Sequence, residues 1–228
     1  MDLSKSLDVF DPTNVRERIH VIGCGSVGST VVELLARYGL TKFTLYDFDI
    51  VEPKNIANQM FTAEHVGKMK VEALRDIVCS INPDAKADIR MEPKGWVDQG
   101  ISGYVILAPD NIEVRKEFVM QNRMNPNIKG VFDFRTGLFD AQHYAADWGD
   151  PRQIEALWKS MDFTHEEAKA ETPVSACGIV LGVAPTVRVI CDFGVINFIN
   201  FATKGEIKKT ILSSPFALNM GDGMVLAM

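Results

Sequence analysis

A glycine-rich turn near the N-terminus constrains the fold of this chain more than any other feature. The turn follows an apolar run and reads Val21-Ile22-Gly23-Cys24-Gly25-Ser26-Val27-Gly28. The acidic segment Tyr46-Asp47-Phe48-Asp49 comes next, with Asp47 nineteen residues after Gly28. The apolar run predicts a buried strand, and apolar residues at helical spacing over 27–38 predict a helix where the glycines end. A strand, a glycine turn, a helix and a second strand that ends in an acid are typical of a nucleotide-binding βαβ unit.

Each glycine of this turn has its own physical reason. Gly23 allows the tight turn, Gly25 lets the backbone approach a phosphate, and Gly28 lets the helix pack closely on the strand. The free N–H groups at the helix start, from Ser26 onward, would face an anion. Asp47 is placed to accept hydrogen bonds from a ribose hydroxyl. The sequence therefore predicts a nucleotide site at this turn.

Strands and helices alternate through the first half of the chain. The predicted strands are 19–23, 43–47, 85–91, 103–108 and 129–134, and the predicted helices are 27–38, 68–80 and 111–124. Such alternation predicts an α/β fold with a Rossmann-like, mostly parallel sheet and helices on both faces. Binding sites on such sheets lie beyond the carboxyl ends of the strands.

The second half predicts a change of architecture, with an antiparallel extension at 138–148 and a short helix from Asp150-Pro151. The charged segment 162–171 is expected to be exposed and mobile. Residues 176–201 are apolar, but Pro185 and Gly194 argue against one uninterrupted helix.

We expect a closing hairpin around Ser213-Ser214, with 208–212 and 215–219 as its arms. The predicted organisation is a single domain over residues 1–228. Its parts are a Rossmann-like core (18–135), an antiparallel extension with a mobile crossover loop (136–175), and an apolar helix with the closing hairpin (176–228).

Composition narrows the function classes. The chain is 46% hydrophobic with a net charge of −6 and no basic run, so a nucleic-acid surface is not expected. No signal-peptide core begins the chain and no apolar stretch of membrane-spanning length is uninterrupted, so we expect a cytoplasmic protein that does not bind a membrane. The four dispersed cysteines form no C-x-x-C pair, which argues against structural zinc.

Four motifs, in this order along the chain, resemble those of one superfamily. They lie at 47–59, at 66–71, at 108–111 and at 175–183. They resemble the D-x-D-x-V-x-x-x-N-L-x-R-Q, V-G-x-x-K-V and T-D-N motifs and the cysteine-containing helix entry of the ThiF/MoeB/HesA superfamily, the adenylyltransferases related to ubiquitin-activating enzymes. The resemblance extends over approximately residues 17–200.

The resemblance implies ATP-dependent activation of a carboxylate. In this superfamily the C-terminal glycine of a ubiquitin-like or sulfur-carrier protein attacks the α-phosphate of ATP, which gives an acyl-adenylate and pyrophosphate. Mg²⁺ as a cofactor and a homodimeric assembly are implied on the same ground. On this resemblance we expect a minimal, stand-alone member of the bacterial or phage type.

The resemblance also implies roles for individual residues. Asp47 would bind the ribose, Asn55 and Lys70 the triphosphate, and Asp110 the magnesium. Further contacts to the nucleotide are expected from Asp49, Asn58, Gln59 and Asn111.

Asp110 has a physical case of its own, because a carboxylate at the carboxyl end of a central strand would repel phosphate unless a cation lay between them. Asp and Asn are also favoured N-cap residues, so Asp110-Asn111 has a second interpretation as a helix cap. One residue can do both.

Cys177 is the candidate for covalent chemistry. It lies at the start of a predicted helix, where the positive end of the helix dipole favours the nucleophilic thiolate. In relatives a cysteine here can take up the activated carboxylate as a thioester or a persulfide-type adduct. A small apolar core residue is the alternative, given the neighbours Ala176 and Gly178.

Asn58 departs from the superfamily pattern, which has a phosphate-binding arginine at this place. A neutral amide supplies neither the charge nor the bidentate fork of an arginine. The arginines that would compensate are Arg16, Arg18, Arg75 or Arg115.

Because Asn58 replaces this arginine, a nucleotide-binding pseudoenzyme that recognises a protein tail without activating it is the second hypothesis. An NAD-dependent oxidoreductase is the third, and adenylation of a small molecule or a tRNA-dehydratase role is the fourth.

Overall fold

The structure is a computed structural model that describes residues 1–171, 173–175, 181–217 and 226–227. Its strands are β1 (Ile19–Ile22), β2 (Phe43–Tyr46), β3 (Arg90–Glu92), β4 (Gly103–Leu107), β5 (Ile128–Thr136), β6 (Ala141–Asp147), β7 (Thr210–Ser213) and β8 (Leu226–Ala227). Its α-helices are α1 (Ser26–Arg37), α2 (Lys70–Ile81), α3 (Ile112–Asn122), α4 (Pro151–Lys159), α5 (His165–Glu171) and α6 (Ala184–Lys204).

The described strands form one eight-stranded sheet in the order β3-β2-β1-β4-β5-β6-β7-β8. The five strands from β3 to β5 in this order are parallel, and β6, β7 and β8 continue the sheet in antiparallel pairing. The sheet order reverses between β1 and β4, and such a switch point is where ligands bind in open α/β sheets. The predicted Rossmann-like sheet with an antiparallel extension is confirmed.

Helices cover both faces of the sheet, because each face has its own apolar core. One core contains Leu35 of α1, Leu74 of α2 and Phe198 of α6. The other contains Phe118 of α3 and Leu157 of α4. Parallel strands covered on both faces carry continuous apolar side chains, and all residues of β1, β2 and β4 are buried. This two-sided burial fixes the strand ends that carry the candidate site.

Helix α6 corrects one expectation, since it runs without interruption for 21 residues. Pro185 lies in its first turn, where a missing N–H costs nothing. Gly194 is needed for packing, because a Cβ there would lie 2.1 Å from Cε1 of Phe134 in β5. By length and composition α6 passes the test for a membrane span, but half of its apolar window is buried inside the protein, as in a core helix.

Three further expectations differ from the structure. The strand predicted at 85–91 is a 3-10 turn, Pro83–Ala87, followed by the three residues of β3. The segment 162–171 contains the unpredicted helix α5. The predicted hairpin around Ser213-Ser214 is wrong, because Pro215–Ala217 is a 3-10 turn and β7 pairs with β6 and β8.

Candidate functional site

The glycine turn connects β1 to α1 and packs against the end of β4. Gly23 has a φ of +91°, and a Cβ at this position would lie 2.6 Å from the carbonyl oxygen of Ala108. A Cβ on Gly28 would lie 1.9 Å from the carbonyl oxygen of Gly23. The tight turn at Gly23 and the close approach at Gly28 are therefore confirmed, although Gly28 approaches the turn itself more closely than the strand.

Gly25 differs from its two neighbours because its surroundings are open. It is the N-cap of α1, and nothing lies within 4 Å of the position where its Cβ would be. It has no side chain to cap the helix, and α1 has no side-chain cap. The first N–H groups of this 12-residue helix thus have no side-chain cap, and the space beside Gly25 is open, so that an anion here would be favoured by both hydrogen bonding and the helix dipole.

The side chain of Asp47 connects the end of β2 to the glycine turn by a hydrogen bond. Its Oδ2 accepts a hydrogen bond from the Cys24 N–H at 2.7 Å, and its Oδ1 accepts one from the Asp49 N–H at 2.8 Å. Burial raises the pKa of the Asp47 carboxyl, while the nearby ammonium of Lys70 opposes that shift. A carboxylate has about four lone-pair sites, so both oxygens keep capacity for a ribose hydroxyl.

Lys70 begins α2 and reaches the same region. Its backbone N–H donates to the Asp49 carbonyl oxygen at 2.9 Å, and its Nζ donates to Asp49 Oδ2 at 2.6 Å. The Lys70 side chain is 9% exposed, whereas that of Asp49 is 51% exposed. A largely buried ammonium thus has a solvated partner that a phosphate can replace. Lys68 instead pairs with Asp76 on the surface, so Lys70 alone of these two lysines reaches this region.

The 3-10 turn Pro53–Ala57 carries the next candidates. Asn55 is buried, and its Oδ1 accepts from the Glu52 N–H at 2.8 Å, which leaves its Nδ2 for a ligand. Asn58 is half-buried, and its Nδ2 donates to the Gly182 carbonyl oxygen at 3.4 Å. The Oε1 atom of Gln59 is buried without a hydrogen-bond partner among the described residues.

Asn111, rather than Asp110, is the helix cap that the sequence suggested at this place. Asn111 is the N-cap of α3, and its Oδ1 accepts from the Glu113 N–H at 2.9 Å. Asp110 is exposed directly after Pro109, at the carboxyl end of β4. Since β4 pairs with β1, and the Gly23 turn packs on Ala108, this carboxylate lies on the same edge as the uncapped start of α1.

Three of the four arginines proposed to compensate for Asn58 are occupied by other partners or remote from the site. Arg16 and Arg18 precede β1, at the opposite edge of the sheet, and Arg18 donates to the carbonyl oxygens of Phe43 and Asp88. Arg115 is buried in an ion pair with Asp133. The fourth, Arg75 of α2, contacts Asp76 at 3.4 Å.

Two cysteines, Cys24 and Cys177, lie in the motifs that predicted the site. Cys177 lies outside the described residues. Cys24 is fully buried inside the glycine turn, and burial raises the pKa of its thiol well above the ordinary value. Its backbone N–H, rather than its sulfur, contributes to the site through Asp47.

The fold is a Rossmann-like α/β domain, and its glycine turn is of the type that dinucleotide-binding folds use. Residues 14–120 match the model of the ThiF family, so the segment that carries the glycine turn, Asp47, Lys70 and Asp110 belongs to the ThiF family. The resemblance recognised in the sequence is thereby confirmed.

The chain is also similar in sequence to curated relatives, over part of their length. The chain is 40% identical over 131 residues to ubiquitin-like modifier-activating enzyme 5 of Caenorhabditis elegans, covering 50% of this chain and 31% of the relative. It is 37% identical over 132 residues to the protein of that name in Dictyostelium discoideum, covering 50% of this chain and 35% of the relative. The chain thus spans about a third of the length of these relatives.

Solved structures share the fold over nearly the whole chain. The E. coli MccB structure with ATP matches with a TM-score of 0.68 and 17% identity, covering 95% of this chain and 65% of that chain. A PaaA structure matches with a TM-score of 0.67 and 16% identity, covering 91% and 64%. At this identity the likeness concerns the fold.

Proposed function

We propose that this protein is an ATP-dependent adenylyltransferase that activates the C-terminal carboxylate of a ubiquitin-like or sulfur-carrier protein. One observation carries the proposal: the open, uncapped start of α1 at Gly25 shares the carboxyl edge of the sheet with the exposed carboxylate of Asp110. An anion site and a free carboxylate on one edge require a cation between them, which is the arrangement of a metal-bound nucleotide site.

The residues fit ATP as a substrate. The N–H groups at Gly25 and Ser26 would donate to phosphate oxygens, and no side chain occupies the space where the Gly25 Cβ would be. Lys70 supplies an ammonium whose carboxylate partner is half exposed and replaceable. Asp47 retains acceptors for the ribose, and the Nδ2 of Asn55 remains for the triphosphate.

The residues also fit a magnesium ion. Mg²⁺ in nucleotide enzymes is bound through one or two carboxylates together with substrate phosphates and water, so a single exposed Asp110 suffices. The described part of the chain holds no group of three or more acidic, histidine or cysteine side chains that would form a separate protein cage. When bound, magnesium would neutralise charge on the phosphates.

The chemistry asked of the chain is mainly positioning. A carboxylate oxygen of the partner attacks the α-phosphorus of ATP; a new P–O bond forms as the bond to the β-phosphate oxygen breaks, and pyrophosphate leaves with the electron pair. Lys70 and the start of α1 would hold the phosphates in line and offset the charge that develops on the leaving group. Cys177 would be the later acceptor of the activated carboxylate.

The names of relatives support a polypeptide carboxylate as the second substrate. Two matched proteins are called ubiquitin-like modifier-activating enzymes, and one neighbouring structure contains MccB together with MccA. We further propose a homodimer in the cytoplasm, without a nucleic-acid or membrane partner. Light scattering during size-exclusion chromatography tests the dimer, and a monomer at micromolar concentration would contradict it.

A thermal-unfolding panel tests the nucleotide site. Wild type, Asp110→Ala and the control Glu113→Gln, which changes an exposed acid of the same segment, are compared with ATP, AMP, NAD and NADP, with and without magnesium. At a hundredfold the dissociation constant, a ligand adds about 2.7 kcal/mol to the free energy of unfolding. Magnesium-ATP should stabilise wild type and Glu113→Gln but not Asp110→Ala. Stabilisation by NAD instead of ATP would contradict the proposal and favour an oxidoreductase.

The pseudoenzyme is the second candidate, because Asn58 provides no positive charge where the family has an arginine. In its favour, Asn58 is engaged with the Gly182 carbonyl, and three of the four candidate arginines are occupied or remote. Isotope exchange between pyrophosphate and ATP in the presence of peptides that end in glycine separates the two. Binding of ATP without exchange would favour the pseudoenzyme.

A further inference from the structure

Arg115 of α3 is buried beneath the site and spans the turn that leads to Asp110. Its Nη1 donates to the Leu107 carbonyl oxygen at 3.2 Å, and its Nη2 donates to the Pro109 carbonyl oxygen. The same guanidinium pairs with Asp133, which is fully buried in β5. One side chain therefore binds both ends of the segment between β4 and Asp110.

Asp133 is held from its other side as well. The Nε of Arg135 donates to Asp133 Oδ2 at 2.7 Å, and Arg135 also donates to the carbonyl oxygen and hydroxyl of Ser160 at 2.6 and 2.9 Å. Both carboxylate oxygens of Asp133 thus have a guanidinium partner. Because a buried charge is tolerated only when it is paired and hydrogen-bonded, the arrangement leaves Arg115 little freedom to move.

The turn that Arg115 spans is also the surface on which the glycine turn rests. A Cβ at Gly23 would lie 2.6 Å from the Ala108 carbonyl oxygen and 2.8 Å from the Pro109 nitrogen. The position of residues 108–109 therefore determines both the surface against which the glycine turn packs and the position of the Asp110 backbone after β4. Asp110 itself is exposed, and within the described chain it has no ion pair to orient it.

We propose that Arg115, held by Asp133, is a positioning residue that fixes the Asp110 carboxylate toward the phosphates of the nucleotide. This inference rests on the proposed function and adds to it the side chain that determines the geometry of the metal carboxylate. Arg115 acts through Asp110 and through the backbone of 107–109, without contact to the nucleotide. Arginine is required because its planar fork reaches two carbonyls and a carboxylate at once, whereas the single ammonium of lysine does not match that geometry.

The test uses Arg115→Lys, which keeps the charge and removes the fork, in the full chain. Arg135→Lys is the matched control, because it alters the other partner of Asp133 but has no hydrogen bond to the 107–109 turn. The apparent affinity for Mg²⁺ is measured at fixed ATP, and ATP binding is measured in the presence of a chelator. Loss of a side chain that orients a metal ligand typically weakens metal affinity by about 10- to 100-fold.

We expect Arg115→Lys to weaken the apparent affinity for Mg²⁺ by at least about tenfold, while metal-free ATP binding changes less than about twofold. Arg135→Lys should have a smaller effect. In an Asp110→Asn background, Arg115→Lys should have no further effect on Mg²⁺, since a residue that acts through Asp110 has nothing left to position. A merely structural role would lower both affinities and would add to Asp110→Asn.

The outcomes separate this inference from the proposed function. If wild type binds magnesium-ATP and Arg115→Lys binds Mg²⁺ equally well, or if its effect adds fully to that of Asp110→Asn, the positioning role is wrong and the proposed function stands. If wild type shows no magnesium-dependent ATP binding, the proposed function fails first. Should Arg115→Lys not fold, Asp133→Asn tests the same linkage, because it retains the shape of the carboxylate and removes its charge.

Discussion

The Nζ of Lys70 lies 2.6 Å from Oδ2 of Asp49, so the ammonium predicted to bind phosphate is held by a carboxylate of the same region. The pair is unequal, because Lys70 is nearly buried and Asp49 is half exposed. Water screens an exposed ion pair and limits its strength, whereas a dense anion such as a triphosphate competes well for the buried partner. Under the proposed function, the pair would keep Lys70 oriented until a nucleotide displaced Asp49.

Lys70→Ala should weaken ATP binding by about tenfold or more, since hydrogen bonds to charged groups contribute about 1.5–3 kcal/mol. Lys68→Ala is the control, because Lys68 pairs with Asp76 on the surface and should change ATP binding less than about twofold. Isothermal titration with ATP and magnesium measures both. Equal losses in the two variants would show that general surface charge, rather than Lys70, attracts the nucleotide.

Replacement by alanine should lower the stability of the fold at one glycine of the turn and the affinity for ATP at another. Gly28→Ala places a Cβ 1.9 Å from a backbone oxygen and should destabilise folding by about 2–3 kcal/mol. Gly25→Ala meets no atom within 4 Å, so it should fold with nearly unchanged stability but lose about tenfold in ATP affinity, because its methyl group takes the space of a phosphate. Urea unfolding and nucleotide titration separate the two effects. Unchanged ATP affinity in Gly25→Ala would place the phosphates elsewhere.

Buried histidines should make the protein sensitive to acid. Burial lowers the pKa of His143 to about 4, and its two ring nitrogens contact the Asp133 carbonyl oxygen and the Asn197 amide, each at 3.1 Å. The unfolded chain binds a proton near the ordinary pKa of 6.5, so the free energy of unfolding should fall as pH decreases from about 6.5 to about 4. Above about pH 6.5, His143 should not make the free energy of unfolding depend on pH.

His143→Gln should flatten this dependence on pH, although His20, whose pKa burial also lowers to about 4, should leave part of it in place. Urea unfolding at several pH values measures the slope. The control is His65→Gln, which changes a partly exposed histidine on a surface turn. An equal slope in wild type and His143→Gln would mean that His143 is protonated in the folded protein.

Gly194→Ala should destabilise folding by about 1–3 kcal/mol, the usual cost of overpacking a core. The added methyl group would meet the ring of Phe134, which is buried against α6. Phe134→Leu in the same chain should recover part of the loss, because the smaller side chain yields the space. The paired variants are compared by urea unfolding. Additive losses in the double variant would show that Gly194 and Phe134 do not constrain each other.

Sequence patterns predicted the elements that depend on nearby residues. The glycine turn, Asn111 as a cap and Asp150 as the start of α4 follow from local backbone geometry and short-range hydrogen bonds. The alternation of the first half gave the parallel order because βαβ connections are sterically restricted. Two of the errors, at α6 and at β7, arose where the partner of each residue lies far along the chain.

The sequence by itself determined the class of fold, the position of the nucleotide-type turn and the membership of its N-terminal half in the ThiF family. Tertiary structure decided the contacts between distant segments. Gly194 is tolerated within α6 because it packs on Phe134, sixty residues earlier. Arg115 forms a buried ion pair with Asp133 and therefore does not take the place of a phosphate-binding arginine. The physical reason is that local propensity acts over a few residues, whereas burial and ion pairing depend on which segments the sheet brings together.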